Sequence, residues 1–500
     1  MIQEGFLTVF SDPLTLIFIA LGTIIGIIFG AIPGLTATMA IVIFLPFTYP
    51  MLATQGISTL TALYIGGISG GLISAILLNI PGTPSSVATC FDGRPMAQKG
   101  QGAKALGVAV VFSFIGTFIG IMCLMVLAPL LASVAIKFGP FEYCALSVFA
   151  LSLVVTLAGK DMIKGLMSAV LGCMIATVGL APLDSKPRFT FGNFNLNTGF
   201  KLLPVLIGIF AITEVMNYAS EVNKQKKFEV DEVEIKGFGF TFQEFTGQIK
   251  NAFVSAMVGL GIGILPGIGG SVSNVLSYTV SKNTSKHPEK YGTGIIDGIV
   301  ASETANNATI GGAMIPLLAL GIPGDGTSAM LMGGFLIHGI SVGPLIFEKS
   351  GSIVYGIFFA MLLSAFLMAV FMLLGMKWFI KILKVPKNYL LSIVVTLCVI
   401  GAIGDSNLLF DAWGVFGFGL MAYLMNKAGF SMTPLILGFL LGETVEVNLR
   451  RVSQLISTTS PFSRPLFLVF TLATISVLGY SVYGALSRHI TIKSKEKREK

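Results

Sequence analysis

The chain is 500 residues long, 54% hydrophobic and only 11% charged, with 59 glycines and a formal net charge of +8. A mean hydropathy of +0.86 excludes an ordinary water-soluble domain, and successive apolar runs near or above about 18 residues place the chain among polytopic membrane proteins. The positive charge is no nucleic-acid signal, because much of it lies in the tail RHITIKSKEKREK at 488–500, which the positive-inside rule assigns to the cytoplasm.

In chain order, the first stretch carries Glu4 and Asp12 but no lysine or arginine before Arg94. It therefore lacks the basic start of a cleavable signal peptide, and an outside N-terminus is expected. Long apolar runs follow at 14–32, 60–80, 105–136, 141–158, 163–180, 202–216, 295–320, 353–382, 390–403 and 465–485. Shorter ones at 37–52, 254–280, 329–347, 415–425 and 434–441 are expected to span partly or re-enter. The expected fold is an all-α polytopic membrane protein with roughly 10–14 transmembrane segments, some of them broken or re-entrant. Gly22, Gly26 and Gly30 form a ridge, as do Gly116 and Gly120, and read as helix-packing surfaces. FDGRPMAQKG at 91–100 has turn chemistry and reads as a solvated loop. Cys90, Cys123, Cys144, Cys173 and Cys398 form no CxxC pair and read as small buried hydrophobes. No structural metal and no cofactor is expected.

The chain repeats itself. ISGGLISAILLNIPGTPSS at 68–86 lies over IGGAMIPLLALGIPGDGTS at 310–328 without a gap, and Gly70/Gly312, Ile73/Ile315, Pro81/Pro323, Gly82/Gly324 and Ser86/Ser328 coincide at an offset of 242. GAIPG at 30–34 answers GILPG at 263–267, PFEY at Pro140 answers PKNY at Pro386, and GFKLLPVLIG at 199–208 answers GFSMTPLILG at 429–438. Four pairs in the same order predict two structural repeats. The expected organisation is repeat 1 at 12–220, a polar linker at 221–250, repeat 2 at 251–447, a final helix at 463–487 and the basic tail at 488–500. With the N-terminus outside and the linker inside, each repeat crosses an odd number of times, so the repeats are inverted. Arg450, Arg451 and Arg464 argue against this, since they would fall in an outside loop.

Each repeat holds two Pro-Gly interruptions: Pro33-Gly34 and Pro81-Gly82, then Pro266-Gly267 and Pro323-Gly324. An unpaired backbone group in lipid costs several kcal/mol, so a helix breaks there only where it lines a cavity or is buried in protein. Paired interruptions in two repeats point to a transporter's midplane site. Free N–H groups at each restart favour an anion, and hydroxyls follow every break. The expected substrate-binding residues are Pro33, Gly34, Thr36 and Thr38; Asn79, Pro81, Gly82, Thr83, Ser85 and Ser86; Gly267, Ser271 and Asn274; and Gly324, Thr327 and Ser328. Asp325, Thr327 and Ser328 are expected to cap the helix that restarts after Pro323-Gly324. A second constellation is SETANNATIGG at 302–312, where Glu303, Asn306 and Asn307 share one helical face. A carboxylate in an apolar run is a functional candidate by default. These three and Asp325 are the expected ion-coupling residues, with Na+ or H+ as the coupling cation and a Na+ position near Glu303 and Asn307.

Two rival classes are weaker. GISG at 67–70 matches the GxSG of intramembrane serine proteases, but that chemistry needs a histidine base within reach of the serine. Only His287, His338 and His489 exist, and of these only His338 lies in a plausible span. A GxxxxGK[ST] loop is missing, so ATP is not bound through a P-loop. A stand-alone secondary carboxylate/ion symporter remains as the nearer alternative.

The stretches GAIPGLTATMA, AILLNIPGTPSS with DGRPMAQKG after it, GILPGIGG and ETANNATIGGAMIPLLALGIPG together resemble the large membrane subunit of tripartite tricarboxylate transporters, from about Gly22 to Leu441. That family commonly has a serine where this chain has Leu72. The resemblance implies a permease of the bacterial cytoplasmic membrane that imports tricarboxylates or related organic carboxylates with a cation gradient. It also implies two partners besides the lipid bilayer: a small membrane subunit and an extracytoplasmic solute-binding protein.

Overall fold

The computed structural model describes residues 1–157, 162–221, 239–382, 387–406, 408–458 and 460–479. The expected basic tail, residues 222–238 of the linker, 480–487 of the final helix and Pro386 of one repeat pair lie outside the described residues.

The described chain is helical almost throughout. Its helices are α1 (Ile2–Phe10), α2 (Pro13–Ala31), α3 (Ala37–Thr48), α4 (Ala53–Leu78), α5 (Thr89–Met96), α6 (Gly102–Ala135), α7 (Pro140–Leu157), α8 (Met162–Ala176), α9 (Leu202–Leu206), α10 (Thr213–Glu221), α11 (Phe242–Ile264), α12 (Gly269–Thr284), α13 (Ile296–Leu320), α14 (Gly326–Ile337), α15 (Ile346–Ile382), α16 (Lys387–Ser406), α17 (Leu409–Lys427) and α18 (Met432–Leu455). A further apolar helix, α19, occupies Pro465–Gly479. α9 and α10 run on through a π turn at Ile207–Ile212. Among the described residues six stretches are long and apolar enough to cross a membrane, and six shorter apolar helices accompany them. Two of the shorter ones, α3 and α14, begin just after the Pro33-Gly34 and Pro323-Gly324 interruptions. One small hairpin, β1 (Gly179–Leu180) with β2 (Pro187–Arg188), interrupts the helices.

Packing divides the chain into two compact units, Met1–Ile136 with Leu202–Tyr423, and Lys137–Lys201 with Leu424–Lys500. Each unit draws segments from both sequence halves, because helices choose partners by surface and not by chain order. In the first unit, the rod α9–α10 from the first half lies on α17, and a Cβ added to Gly208 would sit 2.6 Å from the Val415 carbonyl and 2.9 Å from Gly419 N. In the second unit, α18 lies on α8, and Gly438 abuts the Ala169 carbonyl with Cys173 N 3.1 Å from its added Cβ. Gly208 and Gly438 end the paired GFKLLPVLIG and GFSMTPLILG segments.

Within the first unit the interrupted helices pack by equivalent contacts. Gly26 of α2 lies against the Leu63 carbonyl of α4, and Gly259 of α11 against the Ala305 carbonyl of α13. Gly30 meets the Gly67 carbonyl and Gly263 the Thr309 carbonyl. Gly82 and Gly324, just past the second and fourth breaks, press on the Gly30 and Gly263 carbonyls respectively. Every member of the second contact set follows from the first by the sequence offsets of 233 and 242. Small residues permit this approach of backbones where lipid supplies no hydrophobic drive between helices. Gly116 and Gly120 of α6 do the same against Thr304 and Ala308 of α13.

FDGRPMAQKG is not a solvated loop. Its first part is α5, followed by a π turn at Ala97–Gln101, and Asp92 is fully buried. One Asp92 carboxylate oxygen accepts the backbone N–H groups of Gly292, Gly294 and Ile295 at 3.0, 2.7 and 3.1 Å, and the other accepts the Tyr278 hydroxyl at 2.8 Å. Four donors compensate the burial that the polar sequence had argued against. Of the five cysteines, Cys398 is buried and the others are half-buried; all are free thiols.

In the second unit the hairpin is tied down by ion pairs. Arg188 reaches Glu446 in a bidentate pair at 2.5 and 3.1 Å, and Arg450 contacts both Glu446 and Asp184 at 2.8 and 3.4 Å. Arg464 stands 3.7 Å from Glu142. Two of the three arginines that argue against inversion are thus paired with carboxylates.

Candidate functional site

The four interruptions follow two local recipes, one shared by the first and third and the other by the second and fourth. α2 ends at Ile32 in extended conformation, Gly34 turns with φ 90°, and Thr36 starts α3 by accepting the Met39 N–H at 3.2 Å. Its counterpart Gly267 turns with φ 79°. At the second and fourth breaks the helix closes with a left-handed residue, Asn79 at φ 57° and Gly321 at φ 72°, positions that differ by 242. Glycine takes this conformation freely and asparagine tolerates it.

The breaks meet. Thr38 Oγ1 lies 2.7 Å from Thr327 Oγ1, joining the first and fourth. A Cβ on Gly270 would lie 3.0 Å from the Ser85 Cβ, joining the third and second. Gly267 N–H donates to the Gly324 carbonyl at 2.7 Å, joining the third and fourth through backbone. Around these junctions, Pro33, Gly82, Thr83, Ser85, Ser86, Gly324, Thr327 and Ser328 are buried, Thr36, Thr38, Pro81, Gly267 and Ser271 are half-buried, and Gly34 is exposed. Thr83 Oγ1 lies 3.0 Å from both Ser85 Oγ and Ser86 Oγ. Asn79 is exposed and acts as the left-handed cap of α4. Asn274 bridges elements: it accepts from Ala88 N–H at 2.7 Å and donates to the Ser302 carbonyl at 3.1 Å.

Asp325 is the N-cap of α14. Its Oδ1 accepts the Ser328 N–H at 2.7 Å, Ser328 Oγ accepts the Asp325 N–H at 2.9 Å, and its Oδ2 accepts the Tyr64 hydroxyl at 2.7 Å. The capping role follows from Asp-x-x-Ser after a Pro-Gly stop. Tyr64 was not singled out from the sequence, although it stands 242 positions before Asn306 and the repeat offset leads to it.

Glu303 is fully buried in α13. Its carboxylate accepts the Thr89 hydroxyl at 2.5 Å, the Ser113 hydroxyl at 3.0 Å and the Asn307 amide at 3.4 Å. Asn307 also donates to the Glu303 carbonyl at 3.0 Å and accepts from Ser69 at 2.7 Å. Ser69, the serine of GISG, thus serves an amide, and His338 sits 3.2 Å from Thr48 instead. Ser69, Thr89 and Ser113 escape sequence reading because hydroxyls are common in membrane helices and their partner is some 190–240 residues away in sequence.

The three residues on the α13 face separate by their contacts. Glu303 and Asn307 belong to one network. Asn306, 1% exposed, has neither amide atom in good hydrogen-bond geometry with any group; with the Glu303 carboxylate its amide makes only a long, poorly aligned contact. Its Oδ1 faces Gly270, 2.8 Å from where a Cβ would be. Among the described residues no three His, Cys, Asp or Glu side chains converge to hold a metal ion.

The arrangement brings together paired helix restarts, clustered hydroxyls and the buried carboxylates of Glu303 and Asp325. The family model described as tripartite tricarboxylate transporter TctA family matches residues 16–437. The chain is 32% identical over 471 residues to a 52.8 kDa protein in the TAR-I ttuC′ 3′ region of Agrobacterium vitis, covering 93% of each chain. It is 35% identical over 161 residues to a protein in the TAR-II ttuC′ 3′ region of the same organism, covering 32% of this chain and 66% of that one. No solved structure matches it. A family match across these breaks and spans is decisive: the chain belongs to the tripartite tricarboxylate transporter TctA family and is a multi-pass membrane permease of that family.

Proposed function

We propose that this permease moves tricarboxylates or related organic carboxylates inward across the bacterial cytoplasmic membrane, driven by a Na+ or H+ gradient. The observation that carries the reading is the meeting of four helix restarts, two from each sequence half, beside the buried Glu303 network. Restarting helices hold an anion with N–H groups and hydroxyls without a buried arginine. Glu303 is bound by hydroxyls and an amide, so its charge is left for a mobile cation or proton to neutralise. Asp325 is engaged in capping α14 and bonding Tyr64; it holds the fourth restart closed and contributes to the cation side by its charge. The matched contacts of α2–α4 and α11–α13 favour two repeats, and pairing of Arg450 and Arg464 with carboxylates removes part of the objection to their inversion. The basic tail is then cytoplasmic. The family's tripartite description supports a solute-binding protein that delivers the carboxylate and a small membrane subunit as partners.

The test is citrate uptake into proteoliposomes holding the permease, the small subunit and the binding protein, with imposed Na+ or pH gradients. Gradient-dependent uptake is expected, and Glu303→Gln should cut it by about 5–150-fold, the span of an ordinary coupling free energy, at unchanged abundance. Equal uptake by Glu303→Gln with the same ion dependence would remove Glu303 from the mechanism.

A further inference from the structure

The two halves treat equivalent helix restarts differently. At the fourth break the chain supplies its own anion: Asp325 lays a carboxylate on the first turn of α14, and Tyr64 of α4 donates to it. The offset of 242 carries Asp325 to Thr83 and Tyr64 to Asn306. Thr83 brings no carboxylate, and the equivalent restart has no side-chain cap. Asn306 stands where Tyr64 stands, and both atoms of its amide lack a partner at 1% exposure. A second helix start meets it there. α12, 16 residues long, begins at Gly269 without a side-chain cap, and Gly270 in its first turn faces both Asn306 Oδ1 and Ser85. A buried amide left unpaired costs about 1–3 kcal/mol, so its retention beside an uncapped helix start marks a group that a ligand completes.

We propose that Asn306, with the first turn of α12 and the hydroxyls of Thr83 and Ser85, forms the subsite for one carboxylate group of the transported anion, taking the part that Asp325 plays in the other half. Asn306 then belongs with the substrate and not with the ion-coupling set. Oδ1 is the amide atom that faces Gly270, so the amide turns over on binding to donate its N–H to the carboxylate, and the first-turn N–H groups of α12 add their partial positive charge. Gly270 is required for access: a Cβ would fall 2.8 Å from Asn306 Oδ1. Because Asn306 also lies near Glu303, an anion held there is repelled until a cation or proton neutralises Glu303, which ties the two binding events together.

This assignment rests on the carboxylate-transport reading, and the experiment separates the two. The full-length chain in nanodiscs is melted across a citrate series at fixed Na+, with chloride as the control anion. Citrate should stabilise the wild type. Asn306→Ala, which removes no well-formed hydrogen bond, should keep the fold and require about tenfold more citrate, the loss of one hydrogen bond to a charged group. Thr83→Asp should abolish the citrate response by supplying the counterpart of Asp325, while the uncharged Thr83→Asn retains it. If the wild type responds to citrate and both Asn306→Ala and Thr83→Asp respond like it, the subsite is wrong and carboxylate transport stands. If Asn306→Ala alters only the Na+ dependence, Asn306 serves Glu303 and the subsite is again wrong. A wild type stabilised by neither citrate, succinate nor acetate overturns the subsite and the transport reading together.

Discussion

α4 and α13 occupy equivalent places, each packed on a glycine-ridged neighbour and each ending in a left-handed residue before Pro-Gly. Their chemistry diverges. Where α13 carries Glu303, Asn306 and Asn307, the offset finds Thr61, Tyr64 and Ile65 in α4. Thr61 spends its hydroxyl on the Ser58 carbonyl of its own helix, whereas Glu303 gathers donors from α5, α6 and α13 itself. Backbone geometry tolerates little drift between the two helix pairs, because carbonyls abut glycines in both. Side chains one turn away are free to specialise. The two helix pairs thus keep matched backbone contacts while α4 and α13 carry different side chains at equivalent positions.

The sharpest way to break this contrast is to move the charge. Thr61→Glu puts a carboxylate in α4 without the hydroxyl cluster that surrounds Glu303, and an unpaired buried ion costs several kcal/mol. Little folded protein should reach the membrane, read as monodisperse yield in detergent; normal yield would mean that α4 is as polar in its surroundings as α13. Scaffold equivalence is tested next. Gly82→Ala and Gly324→Ala each drive a Cβ onto a backbone carbonyl, and both should lose about 1–3 kcal/mol. Melting temperatures that fall for one and not the other would show that the halves bear load unequally. The smallest effect concerns the caps. Thr36→Ala should cost about 1 kcal/mol through loss of one N-cap bond. Asp325→Ala should cost more, since it also strands the Tyr64 hydroxyl, and an equal loss would leave the Tyr64 contact without weight.

Much of this was legible in the sequence, for identifiable reasons. Pro-Gly inside an apolar run has one structural meaning in lipid, so the breaks at 33, 81, 266 and 323 and the short helices after them could be read directly. The capping of α14 by Asp325 is a four-residue signal and was equally local. The composition of the Glu303 network was not legible, because Thr89, Ser113 and Ser69 reach it from three other helices and nothing local marks them. Periodicity put Asn306 and Asn307 on one face but could not tell which amide would be satisfied; that depends on Ser69 standing opposite one and Gly270 opposite the other. The Asp92 helix was missed for a related reason, since its donors lie 200 residues downstream.

That Asp92 contact bears on how the connection before α13 responds to solvent. SKHPEKYGTG at 285–294 is polar, rich in turn formers and mostly exposed, the composition of a segment whose amides trade protons with water within seconds. Three donors at and just past its end, Gly292, Gly294 and Ile295, are nevertheless pinned on a carboxylate with no exposed surface. Their hydrogen exchange should be governed by release of α5 and not by motion of the loop itself, so deuterium uptake at these three amides reports the opening of a helix some 200 residues away in sequence.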